Sequence, residues 1–171
     1  MAETLLALLP VILIASLCIE LARGYQIRQL LTLSLQETAR VAAVHQGAPH
    51  IWQPALRDAL TTLFVPAGRF HSPQARRDAA RDEFAKRFGL PLWEVVRQPG
   101  PADIIHLKMT YLHAPMQDWL RTLLKALSGI SSSLQKKQNP RQHLEQRAWA
   151  LGLIPIVIEH RVLRQRSLGP S

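Results

Sequence analysis

The chain begins with an uncharged apolar run, Thr4 to Ile19, which continues through Glu20 to Ala22 and stops at Arg23. No other feature constrains the fold as strongly. Thr4 to Ala22 is 19 residues, close to the roughly 20 that a helix needs to cross about 30 Å of hydrocarbon. Only 16 of these residues are consecutive and uncharged, so Glu20 is expected to lie at an interface near Arg23, to pair with a partner, or to snorkel. Pro10 sits inside the run, where a membrane helix tolerates it better than a soluble one. Met1-Ala2-Glu3 supplies no basic n-region, and Leu21-Ala22-Arg23 is a poor small-residue cleavage site. Leu17 before Cys18 is too large for lipoprotein attachment. The run is therefore read as a retained anchor.

Hydrophobic periodicity continues past the anchor. Tyr25, Ile27, Leu30, Leu31, Leu35, Thr38, Ala39, Ala42 and Ala43 recur at helical spacing, while Arg28, Gln36, Glu37 and Arg40 fall largely elsewhere. One helix from about Glu3 to His45 is expected, half apolar all round and half amphipathic, ended by Gly47, Ala48 and Pro49. This divides the chain into residues 1–46, anchor and extension, and residues 47–171, a folded domain.

Within the domain, helices are expected over Pro54 to Phe64 and over Pro73 to Phe88. The second has Ser72 as N-cap, Pro73 at its first position and Gly89 at its end. The period then changes to two. Strands are expected at Leu92 to Arg97 and Ile104 to Leu112, joined by a turn at Gln98-Pro99-Gly100-Pro101. In the second strand Ile105, Leu107, Met109 and Tyr111 face one way and His106, Lys108 and Thr110 the other. After Pro115, the stripe Met116, Trp119, Leu120, Leu123, Leu124 and Leu127 reads as the core face of a helix, and Trp119 and Trp149 as core residues. The polar stretch from Gly129 to Pro140 reads as a mobile loop. A helix from Arg141 to Leu151 and a strand from Ile154 to Leu163 complete the order. The fold class is α+β, a long N-terminal helix followed by a small helical domain with an antiparallel three-stranded sheet. Helices on one face would leave the other for solvent or a partner.

Composition limits the chemistry. Cys18 is the only cysteine, so the domain has no disulfide and no thiolate metal site. The seven histidines show no metal-ligand spacing. Asp78 and Asp82 lie beside Arg77 and Arg81 as a solvated helix face rather than an acid–base pair. With no phosphate loop or nucleophile motif, neither an enzyme nor a cofactor is expected. The net charge of +9 has one bland origin, an Arg-rich solvated face, and one functional one, attraction to anionic lipid or an acidic protein. Nucleic acid is not an expected partner, since no aromatic–basic stripe accompanies the charge.

Two stretches carry a family resemblance. The N-terminal segment combines Glu3, an apolar run with Pro10, Glu20 before Arg23, and an amphipathic helix with Ala39-Arg40. The C-terminal part combines Thr110-Tyr111, a Pro and an apolar helix with Gly152-Leu153-Ile154-Pro155-Ile156 and the ending Leu163-Arg164-Gln165-Arg166-Ser167. Together these cover roughly half the chain and resemble TadE-like proteins of the tight-adherence (Tad/Flp) pilus, in the type IV pilus class. Many members carry a Cys after the Thr-Tyr pair and another before the Gly-x-Ile-Pro-Ile strand; Leu112 follows Tyr111 here, and no Cys lies near Gly152.

The resemblance implies a non-enzymatic, minor pilin-like component of pilus assembly or initiation. It implies a single-pass protein of the bacterial inner membrane with its C-terminal domain in the periplasm, and partners among pilin-like subunits, inner-membrane assembly proteins and membrane lipid. Glu3, Pro10, Glu20 and Arg23 are then candidates for membrane and subunit contacts, and Tyr111, Gly152 and Pro155 are structural motif positions. Charge alone points the other way: Arg23, Arg28 and Arg40 all follow the span, which places the domain in the cytoplasm. The alternative to the pilus reading is a membrane-tethered basic module that binds anionic lipid or an acidic protein.

Overall fold

The computed structural model of the protein describes residues 2–99, 101, 103–134 and 143–164. Among them α1 (Ala2–Val44), α2 (Pro49–Leu60), a 3-10 turn (Thr61–Phe64), α3 (Pro73–Phe88), β1 (Trp93–Gln98), β2 (Ile104–His113), α4 (Asp118–Leu134), α5 (His143–Ala150) and β3 (Ile154–Leu163) follow in chain order. The architecture is α+β, with a three-stranded antiparallel sheet of order β1-β2-β3.

The single long helix forms as its periodicity predicts. It stops where Gln46 and Gly47 take positive φ, with the Gly47 N–H donating to Ala42 O. Arg97 and Arg164 donate to the carbonyls of Gly47 and Gln46, placing two cations at the negative end of the helix dipole.

The two halves of α1 have opposite surroundings. Before Glu20, the side chains of Leu8, Val11, Ile12, Leu13, Ile14, Leu17 and Ile19 are all exposed. Beyond it, Leu31, Leu35, Ala39 and Ala42 are fully buried against Trp52, Leu56 and Leu60 of α2 and Ile105, Leu107 and Met109 of β2. Ser34 Oγ ties the helices further by donating to Ala59 O. The extension supplies one wall of the domain core, and the change of environment falls inside α1.

The pairing register puts alternate residues of β2 on α1, which accounts for the apolar face that alternation marks in the sequence. The other sheet face is less open than expected. Leu112 packs with Phe84, Ala148 and Leu153 in a second cluster, and Lys108 Nζ donates to Glu145 Oε1 of α5 at 3.1 Å. Thr110 and His106 are buried as well, because β2 is the central strand and α5 covers part of its second face.

Three local expectations shift. The second helix begins at Pro49, with Pro54 inside it, and its last residues tighten into the 3-10 turn. The earlier start follows because Pro49 also suits a first helical position. The third helix runs over Pro73–Phe88 as expected, with Ser72 Oγ accepting from the Ala75 N–H and Gly89 in the left-handed region. α4 extends to Leu134, so the first residues of the expected loop are helical. Residues 135–140 of that loop lie outside the described residues, as does the ending from Gln165 onward. The last helix, described over His143–Ala150, ends one residue earlier than expected, and residues 141–142 of its expected span lie outside the described residues.

Candidate membrane-proximal site

Glu20 lies one helical turn before Arg23, where the apolar run stops, and it is 5% exposed on a stretch of helix whose neighbours are bare. What buries it is the end of β2. His113 Nε2 lies 2.6 Å from Glu20 Oε1, and the Met116 N–H donates to Oε2 at 3.4 Å. A carboxylate can only accept, so the Nε2–H tautomer of His113 fits the contact. Arg23 Nη1 stands 3.9 Å from Oε2. The carboxylate is thus paired and bonded within its own chain, the condition under which a charge survives burial.

Tyr111 faces the same end of the sheet. Burial pushes its phenol up to about 12, and the positive charge of Arg23 opposes that shift. Gly152 has φ +70°, and a Cβ there would meet Arg121 O of α4 at 2.4 Å. The glycine therefore serves both a left-handed turn and close approach of α4. Pro155 opposes Leu112 on β3, an edge strand where a missing N–H is tolerated.

Five of the sequence-predicted positions, Glu20, Arg23, Tyr111, Gly152 and Pro155, thus gather at one end of the sheet. Glu3 and Pro10 do not join them, since they lie in the projecting half of α1. Sequence reasoning misses His113 and the Met116 amide as partners of Glu20. The only signal is that a carboxylate on an apolar run needs a partner, and this one lies 93 residues away.

The apolar stripe of α4 is placed differently from expectation. Leu120 is buried, but Met116, Trp119, Leu123 and Leu127 are exposed. Trp149 is also exposed at 38%, whereas Trp52 is a core residue. Helical spacing identifies one face of α4 without specifying what covers it.

Among the described residues, no group of three or more His, Cys, Asp or Glu side chains converges on a metal-sized site. One helix among them, over Pro10–Val44, is long and apolar enough to cross a membrane. No protein-family model, curated protein or solved structure matches the chain.

Proposed function

We propose that this is a TadE-like, non-enzymatic component of Tad/Flp pilus assembly or initiation. It is anchored in a bacterial inner membrane by the first half of α1, with its α+β domain in the periplasm. The observation that carries the reading is the division of α1: one unbroken helix is bare and apolar before Glu20 and forms the wall of a folded core after it. A subunit built this way can exchange lipid for neighbouring apolar helices around the same segment without refolding its domain.

The charges support the same reading. Glu20 is already engaged by His113, which leaves Glu3 as the carboxylate to pair with a neighbouring subunit's N-terminal amine, where burial in lipid demands a partner. The outer face of the extension, along Tyr25, Arg28 and Leu33, is exposed and free to meet a neighbouring helix. Its partners are pilin-like subunits and inner-membrane assembly proteins.

Deleting the gene should abolish or strongly reduce Tad pili, with restoration by the wild-type gene. Normal piliation and adherence in the deletion strain would sink the proposal.

A further inference from the structure

We infer that α4 is a second membrane-contacting element: an amphipathic helix that lies in the headgroup layer of a bilayer containing anionic lipid, beside the point where α1 leaves it. This rests on the reading of α1 as a membrane anchor.

The helix is held at the level of the anchor's end. Met116, just ahead of α4, donates its backbone N–H to Glu20, so the helix starts where the apolar run of α1 ends. It then stays at that level. Arg121 O and the Lys125 side chain pack against Gly152, two residues before Ile154, and Ile154 pairs with His113, the partner of Glu20. From Met116 to Lys125 the chain therefore runs across the sheet end nearest the anchor. Any bilayer that holds α1 up to Glu20 has its surface beside the first turns of α4.

The exposed face of α4 has the chemistry such a surface needs. Trp119, Leu123 and Leu127 follow at a spacing of four, forming one helical face with Met116 just ahead of it, and all four are at least 40% exposed. The inner face is separate and occupied: Leu120 is buried, and the Arg121 guanidinium lies over the Phe88 ring at 5.2 Å. A tryptophan within an apolar face flanked by cations is the composition of helices that lie in the interfacial plane. The neighbouring charges complement anionic headgroups. Lys125 and Arg23 are cationic, while Asp118 is matched by Arg121 Nη1 at 3.2 Å. Ile19 and Leu21, on either side of Glu20 in α1, are exposed as well, so apolar surface is continuous in character from the anchor to α4.

The test uses the full chain with Cys18→Ser, reconstituted in vesicles of phosphatidylethanolamine and phosphatidylglycerol. Single cysteines at Leu123→Cys, Leu127→Cys, Thr122→Cys and Ile14→Cys carry an environment-sensitive fluorophore. Quenching by nitroxide lipid is compared with quenching by a water-soluble agent. All four native side chains are exposed, so the fold is not challenged.

Lipid quenching at Leu123→Cys and Leu127→Cys several-fold above that at Thr122→Cys, and lost in vesicles without phosphatidylglycerol, is the expected result. If Leu123→Cys and Thr122→Cys behave alike while Ile14→Cys is quenched by lipid, α4 is off the membrane and the inference fails alone. Shielding of Leu123→Cys from both quenchers also overturns it, in favour of a protein–protein contact. Absence of lipid quenching at Ile14→Cys overturns the anchor reading and this inference together.

Discussion

Glu20 of the apolar helix and His113 at the end of the central strand meet at 2.6 Å and are both 5% exposed. The contact ties the end of the central strand to α1 at the edge of its apolar run. Removing one partner strands the other in a buried place, so His113→Ala should cost about 3 kcal/mol. The double variant Glu20→Leu/His113→Leu should cost less than the sum of its single changes, because it leaves no uncompensated group of the pair. Denaturant unfolding in detergent micelles measures both; strict additivity would show that the two residues are not coupled.

Gly152 and Gly89 both have positive φ, but their surroundings differ. A Cβ at Gly152 meets Arg121 O at 2.4 Å, whereas nothing lies within 4 Å at Gly89. Gly89→Ala should cost about 1–2 kcal/mol from backbone conformation alone. Gly152→Ala should cost more, because α4 must also move away from the start of β3. Thermal unfolding of the two variants side by side decides this, and equal losses would remove close packing as the reason for the glycine.

Burial holds the phenol of Tyr111 neutral up to about 12, against an ordinary value of 10.0. The unfolded chain releases this proton at lower pH than the folded one. Stability from this group is intact below pH 10 and falls as pH rises from about 10 to 12, by about 2–3 kcal/mol. The stability difference between the wild type and Tyr111→Phe should change by that amount across this window. A constant difference would show that the phenol is not desolvated.

A charge placed in the first half of α1 should oppose membrane insertion, at about 2.5–3.5 kcal/mol near the helix centre. Ile14→Lys is therefore expected to reduce the membrane-bound fraction after cell fractionation. Leu33→Lys, equally exposed but on the extension, should leave it unchanged. Equal loss with both variants would remove the distinction between the two halves.

Local chemistry makes much of this fold legible in the sequence. Ser72, Pro73 and Gly89 bound α3 because capping and φ preferences act within a few residues. Alternation in β2 reveals the face that packs on α1, since a side-chain period of two is set by the strand itself. The candidate site is only half legible. Glu20 stands out as a carboxylate at the edge of an apolar run, yet nothing near it in sequence identifies His113. The stripe on α4 is apolar as its spacing says, but most of it is surface rather than core. Periodicity tells which residues share a helix face, while burial depends on which element lies opposite.

The orientation of the domain is the most direct test of the central claim, because the family resemblance and the distribution of Arg23, Arg28 and Arg40 predict opposite sides of the membrane. A reporter active only in the periplasm, fused after Ser171 in a bacterium with a Tad system, separates them. A strong periplasmic signal is the predicted result. A signal confined to a cytoplasmic reporter at the same position would contradict the pilus assignment and leave a membrane-tethered basic module on the inner face.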